Sequence, residues 1–442
     1  MTTPAEQTTR VAQTADPVQT DSGHGSAPSI FAQPKAVWVV AFACTVSFMG
    51  IGLVDPILPA ISSKLHASTS QVELLFTSYL VVTAVAMLVT GWVSSRLGAK
   101  RTLITGLVLI VVFAAAAGSS GSINEIIGFR AGWGLGNALF IATSLAVIVA
   151  SATGGMAGAI VLYETALGVG IAMGPLMGGE LGNISWRGPF FGVSVLMGVA
   201  LIATIFFLPA TPKPQRRQRL SEPLRALRHR ALATTSGVGL LYNWGFFTML
   251  GYTPFLMRPI TPPQLGLVFC GWGVLVAAFA VWGAPWLKAR FGTARTLYGN
   301  MVLMAVDLGV VAAFAEHKAV VIVSVIVAGA FVGVSNALVT TAVMSIAPVE
   351  RPVASATYGF VRFIGGGLAP YVASKLVDNY NVHLPFWIAA GALIAAALLL
   401  STVHQALESA DAGHVVQPEH DDLDRVERED ELQIAAGIGS AD

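Results

Sequence analysis

The sequence predicts an all-α membrane protein whose twelve transmembrane helices form two six-helix bundles, repeated in the same orientation. Three observations carry that prediction. Of 442 residues, 55% are hydrophobic and only 11% charged, against roughly 25% charged in a soluble domain, so polar side chains are too few to cover a water-facing surface. Twelve apolar stretches are long enough for a helix rising about 1.5 Å per residue to cross about 30 Å of hydrocarbon. A basic turn between two of these stretches also returns 194 positions later in the chain.

Residues 1–34 are rich in Thr, Gln, Ser, Ala and Pro and read as a disordered cytoplasmic tail. The first apolar run starts only near Val37 and has the length of a spanning helix, not of a signal-peptide core. Spans 1 to 12 follow at roughly 37–61, 71–95, 102–118, 124–150, 155–180, 188–209, 232–257, 264–287, 294–315, 319–346, 352–377 and 383–404. Turn residues or charges separate them, as in "SSKLHASTS", "NISWRGP", "PITPP" and "DNYNVH". The chain therefore divides into the tail, a six-helix bundle at 35–209, a basic cytoplasmic linker at 210–231, a second bundle at 232–405 and an acidic cytoplasmic tail at 406–442.

Charge sets the expected orientation. With the amino terminus in the cytoplasm, cytoplasmic loops hold fourteen of the 25 Lys and Arg and the opposite loops hold five. The positive-inside rule then places both termini in the cytoplasm of a multi-pass protein of the cell membrane. A net charge of +1 excludes a broad nucleic-acid footprint. Cys44 and Cys270 lie in apolar runs and offer neither a disulfide framework nor metal spacing. No cofactor or metal is expected; the expected partners are the lipid bilayer, protons and a small-molecule substrate, met by a monomer.

The repeat is visible at three places. "GWVSSRLGAKRTL" at 91–103 matches "PWLKARFGTARTL" at 285–297 in Trp92/Trp286, Arg96/Arg290, Gly98/Gly292, Arg101/Arg295, Thr102/Thr296 and Leu103/Leu297. "GLGNAL" at 134–139 returns as "GVSNAL" at 333–338, and "GIAMGP" at 170–175 as "GGGLAP" at 365–370. Six crossings bring the chain back to its starting side, so the two copies point the same way through the bilayer. In the turn itself, glycine permits a tight reversal, and cations at the end of span 2 suit its negative dipole end. Gly91, Arg96, Gly98 and Arg101 read as a hinge and staple.

These residues resemble the major facilitator superfamily, in particular its twelve-helix drug:proton antiporter branch, over about 35–405. "GWVSSRLGAKR" at 91–101 is similar to the loop 2–3 signature. "FRAGWGLGNA" at 129–138 resembles the fourth-helix signature built around an arginine, and "DPILP" at 55–59 the first-helix pattern of Asp followed by Pro. "GIAMGPLMGG" resembles the fifth-helix antiporter signature through Gly170, Gly174, Pro175, Gly178 and Gly179. The resemblance implies two bundles rocking about a central cavity, and a proton- or substrate-coupling role for Asp55. One departure stands out. The acidic residue that usually precedes the loop arginine, and joins a charge relay in relatives, is Ser95 here.

Ionisable groups inside a span cost at least about 2.5 kcal/mol each on insertion scales, so each calls for a reason. Asp55, Arg130, Glu164, Asp307 and Arg362 lie well inside spans, whereas Glu73, Glu125 and Glu180 sit nearer span ends and are expected to be solvated. Asp55, beside Pro56 and Pro59, reads as a titrating carboxylate or as half of a buried ion pair with Arg130. Glu164 either meets Arg130 or is protonated for part of a cycle. Arg362 either neutralises an acid across the bundle or binds an anionic substrate group. Asp307 is expected to be structural or locally hydrated.

Amides and aromatic rings gather in the same spans: Trp133 and Asn137 in span 4, Asn243, Trp244 and Phe247 in span 7, Asn336 in span 10. Around a cavity they would supply flat faces and a few hydrogen bonds, which suits amphipathic ligands. The function this supports is proton-coupled efflux of drug-like molecules by alternating access. An exporter of an endogenous metabolite such as a siderophore or lipid precursor, or a nutrient symporter or uniporter, would use the same fold. An enzyme is not expected, because no nucleophile cluster or His-x-x-x-His pair occurs within the spans.

Overall fold

The structure is a computed structural model that describes residues 33–151, 155–209 and 219–412, with the side chains at 51, 55, 149, 150, 155–161, 164 and 351 outside the described set. Among the described residues every regular element is a helix. Spans 2 to 7 run Thr69–Leu97, Ala99–Ser119, Ile123–Ser151, Gly155–Ile184, Gly188–Phe207 and Arg230–Leu256. Spans 9 to 12 run Thr293–Ala313, Lys318–Ile346, Arg351–Asn379 and Leu384–Ser401. Eight described helices are apolar and long enough to cross a membrane unaided. Spans 1, 5, 7 and 11, which are interrupted or carry glycine, polar and charged residues, complete the twelve.

Two spans are not the continuous helices that hydropathy predicts. Span 1 runs Lys35–Gly52, breaks into a 3-10 turn at Asp55–Ile57 and resumes as Leu58–Lys64. Pro56 lacks an N–H and its ring crowds the preceding turn, so the helix stops just before the acid it was expected to carry. Span 8 runs Pro262–Ala278, widens into a π turn at Phe279–Gly283 and continues as Ala284–Phe291. Gly283 and Pro285 sit at that widening, where such bulges commonly form.

The internal repeat extends to details the sequence comparison did not reach. Span 2 starts on a capping box in which Ser68 Oγ accepts from Gln71 N at 3.2 Å, and span 8 on the same device with Thr261 Oγ1 and Gln264 N at 3.4 Å. One glycine, Gly98 or Gly292, joins spans 2 and 3 or spans 8 and 9, with φ at 85° and 78°. Those left-handed values are ones that glycine alone adopts without strain.

Each turn is then tied to the end of its own half. Lys100 Nζ donates to the carbonyls of Ile205, at 3.0 Å, and Leu208, which are left over at the end of span 6. In the second half the tie is reversed in sign. A short helix after span 12, His404–Asp411, brings Asp411 to the start of span 9. There its carboxylate accepts from Thr293 N at 2.7 Å and Thr293 Oγ1 at 2.8 Å, and pairs with Lys288 Nζ at 3.0 Å. Residues 406–411, assigned by composition to a solvated tail, thus hold the second turn.

The halves meet along two helix pairs, span 5 on span 8 and span 2 on span 11. Two cross-half hydrogen bonds among the described residues lie on the face away from the termini. Ser70 at the start of span 2 donates to Asp378 near the end of span 11. Arg258 Nη2, beyond span 7, reaches the Pro59 carbonyl at 3.4 Å. The seam is closed at that face.

Candidate functional site

Span 5 sets the spacing of the centre, because its glycines press on backbone from both halves. A Cβ at Gly170, Gly174 or Gly178 would lie 2.4, 2.5 and 2.2 Å from the carbonyl oxygens of Thr45, Met49 and Leu53, one turn apart along span 1. Gly179 faces the other half, 2.6 Å by the same measure from the Pro262 carbonyl of span 8. Gly266 and Gly273 of span 8 return the contact against Pro175 and Ala172. Backbones this close leave no room for any side chain. Of the turn residues, Arg96 stacks 4.2 Å above the Trp92 ring, Arg101 is exposed, and Gly91 is half-buried within span 2.

On the amino-terminal side, Arg130 is fully buried and lies between two rings, 4.3 Å from the Tyr79 centroid and 4.6 Å from that of Trp133. Its Nε donates to the Leu75 carbonyl at 3.4 Å. Trp133 itself is wedged against Gly50, where a Cβ would meet the ring at 2.9 Å. Asn137, one turn further along span 4, accepts from Ser47 Oγ at 2.6 Å and so ties spans 1 and 4 together. Phe48 and Tyr163 complete this wall, edge to face at 5.7 Å.

The carboxyl-terminal wall is mostly aromatic. Phe246 stacks on Trp272, with planes 13° apart and centroids 5.6 Å apart, and touches Phe247 at 4.5 Å. Phe247 fills the space over Gly366 of span 11. Tyr242 donates to Asn336 Oδ1, linking spans 7 and 10. Trp244 is half-buried against the core. Asn243 turns into its own helix and donates one amide hydrogen to the Gly239 carbonyl at 2.8 Å.

Arg362 is where the two walls come together. Its guanidinium carbon lies 5.0 Å from the Phe363 ring and 5.7 Å from that of Tyr358. It is also within electrostatic reach of Tyr242 from span 7 and Tyr163 from span 5. Among the described side chains that face it none is a carboxylate; those of Asp55 and Glu164 lie outside the described residues. Phe363 in turn meets Ala86, Met87 and Ala138 of the first half.

The acids divide differently from expectation. Asp55 lies in the break of span 1 and Glu164 within span 5, and both side chains fall outside the described residues. Glu125 and Glu180 are exposed, as their positions near span ends suggest. Glu73 is not. It is 0% exposed, and neither carboxyl oxygen has a hydrogen-bond partner among the described residues. Asp307 is half-buried with one oxygen unbonded and Ser324 beside the other. Sequence reasoning also passed over Phe48, Tyr163 and Tyr358. Only Tyr163, beside Glu164, had a neighbour that singled it out.

Comparison with known proteins agrees with this architecture. The sequence model of the Major Facilitator Superfamily matches residues 40–260 and 238–420. The multidrug efflux protein YfmO of Bacillus subtilis is 51% identical over 385 residues, which cover 87% of this chain and 97% of that one. The tetracenomycin C resistance and export protein of Streptomyces glaucescens is 33% identical over 178 residues, 39% of this chain and 33% of its own length. Two solved structures share the fold. The human organic anion transporter MFSD10 has a TM-score of 0.64 at 17% identity, covering 83% of this chain and 99% of its own. A bacterial homologue of the human lysosomal transporter Spinster has a TM-score of 0.63 at 14% identity, covering 85% and 96%.

Proposed function

The chain belongs to the major facilitator superfamily, and we propose that it exports amphipathic, drug-like molecules in exchange for protons by exposing a central site to each side of the membrane in turn. It is a multi-pass membrane transporter, and its likeness to a multidrug efflux protein over nearly the full length of both chains places its activity among exporters. The observation that carries the finer reading is the seam itself. Ring faces come from both halves: Tyr163 and Phe363 lie beside Arg362, and Phe246, Phe247 and Trp272 stack on one another in the second half. That mix binds flat apolar molecules with little demand on their exact shape.

In this reading both termini lie in the cytoplasm and the closed face is the outer one. Asp55 and Glu164 exchange protons, with Arg130 as the fixed charge that favours the ionised form of a nearby carboxylate. Trp133, Asn137, Asn336, Trp244 and Phe247 shape the cavity, Asn243 backs it from span 7 with its amide on the Gly239 carbonyl, and the transporter works as a monomer. Arg362 favours a second substrate class. An arginine stays charged throughout, and with no carboxylate among the described side chains that face it, an acidic group on the cargo would complete its coordination. Export of an endogenous acidic metabolite fits that feature.

Proteoliposomes carrying an imposed pH gradient test the proposal, with ethidium as a cationic cargo and fluorescein as an anionic one. For one-for-one exchange, each pH unit supports up to about tenfold accumulation. Asp55→Asn and Glu164→Gln are expected to lose uphill ethidium transport while still inserting. Full uphill transport in both variants would remove these carboxyls from the mechanism, and transport indifferent to the gradient would leave a uniporter.

A further inference from the structure

The strongest unassigned feature is Glu73. It is the fifth residue of span 2, fully buried at the seam, and both its oxygens lack a hydrogen-bond partner among the described residues. The other half closes over it. The position a Cβ would take on Gly251 of span 7 is 2.7 Å from Glu73 Oε2 and 2.7 Å from Pro370 of span 11. One carboxyl is thus enclosed by three helices, two of which belong to the opposite bundle.

None of the charged and titratable groups around it gives it a hydrogen bond among the described residues. On span 7, Tyr252 lies within electrostatic reach of Glu73, of Asp378 and of Arg258. On span 11, Asp378 accepts from Ser70, and Lys375 lies over the Tyr371 ring at 5.8 Å. Arg258 reaches the Pro59 carbonyl. On span 4, Arg130 binds the span 2 backbone at Leu75 and stacks on two rings. Lys64, at the end of the short helix that packs on span 2, is exposed. An ionised carboxylate without a partner is far more costly in such a site than the neutral acid. Closure therefore suits the acid with its proton on, and parting of the halves would hydrate it and let the proton leave.

We propose that Glu73 is an additional proton-binding site, loaded from water at the face away from the termini, whose occupancy closes the seam between the halves. In the open state the carboxylate takes a proton from that water and becomes a carboxylic acid. Closure then excludes the water, and reopening returns the proton to the same side. The site sets the pH dependence of opening and adds nothing to net proton flux, which separates it from the coupling carboxyls. The proposal rests on alternating access, and its test keeps the two apart.

Full-length protein with Cys44 and Cys270 replaced by Ala and spin labels on Lys64→Cys and Tyr380→Cys, exposed positions on the two sides of the seam, reports the distance across the closed face. In the otherwise unaltered protein the ratio of long to short distances should rise with pH, by up to tenfold per unit for one proton. Glu73→Asp should keep that slope, and Glu73→Gln should stay short at every pH. A Glu73→Gln protein that titrates like its parent would overturn the assignment. So would a parent that opens with ethidium yet ignores pH. A distance that never lengthens, with pH or with ethidium, would overturn alternating access as well.

Discussion

Replacing Gly178 by alanine tests whether the glycine face of span 5 sets the geometry of the whole molecule. The added methyl carbon would sit 2.2 Å from the Leu53 carbonyl oxygen and 2.9 Å from its carbon, whereas ordinary contact begins at 3.4 Å. Spans 1 and 5 would have to separate by about 1 Å, just ahead of the break that carries Asp55. Overpacking of this kind costs about 1–3 kcal/mol, offset by up to about 1 kcal/mol from the better helix propensity of alanine. With the full offset the net effect is a loss of up to about 2 kcal/mol. Gly198→Ala in span 6 is the matched control, since nothing lies within 4 Å of its added Cβ, and it keeps only the gain. Cys44, fully buried on span 1, is a native reporter when Cys270 is replaced by Ala. Its reaction with a thiol-specific fluorophore on heating reads unfolding at the interface in question. Gly178→Ala should unfold at a lower temperature than the parent and Gly198→Ala at the same or a higher one. Equal midpoints for the two variants would show that span 1 yields freely, and the close approach would then decide nothing.

Two further perturbations address charges. At Asp411, burial raises the carboxyl, but the Thr293 N–H, the Thr293 hydroxyl and Lys288 lower it by more, leaving it below its ordinary value. A depressed folded value contributes stability present above the ordinary carboxylate range and lost as pH falls through the folded value, so helix 404–411 should stay docked at neutral pH and release in acid. Asp411→Ala should release it at neutral pH, at a cost of about 1 kcal/mol as for a lost cap, and unchanged hydrogen exchange across 404–411 would contradict this. Arg130→Lys keeps the charge but loses the planar stacking between Tyr79 and Trp133, worth about 2 kcal/mol where water is excluded. A lower unfolding midpoint with loss of uphill ethidium transport is expected, and parental values of both would show that charge alone suffices.

Much of the fold is legible in the sequence because membrane burial acts on single helices. Apolar length locates each span, and turn residues end it within a few positions, as at Gly98 and Gly292. Pro56 and Pro59 announce a weakened helix, and the helix stops ahead of Pro56. The site is less legible because facing is a tertiary property. Asn243 and Asn336 look alike in the sequence, yet one turns back to Gly239 and the other meets Tyr242. Glu73 lies close enough to a span end to suggest water, and its burial comes from Gly251 and Pro370, more than 170 residues away in the chain. Asp411 reads as part of a solvated tail until Thr293, 118 residues earlier, is seen to hold it.

The doubled basic turn then has a physical purpose beyond orientation. In the first half a lysine of the turn satisfies carbonyls at the end of span 6; in the second a carboxylate from beyond span 12 satisfies the start of span 9. The signs are opposite, and the outcome is the same: the middle of each half is fastened to the end of its sixth helix or to the short helix beyond it. The acid that Ser95 does not supply to the first turn, whose hydroxyl donates instead to the Trp92 carbonyl at 2.9 Å, is supplied to the second by the tail. With both bundles stiffened internally, the remaining freedom lies where they touch. Those places are the span 5–8 crossing, smoothed by Gly179, Gly266 and Gly273, and the span 2–11 pair, which buries Glu73. In the proposed cycle, motion of one bundle against the other would change the surroundings of Arg362 and Glu73 more than those of groups inside a bundle, so that a ligand and a proton at that seam would each bias the same movement.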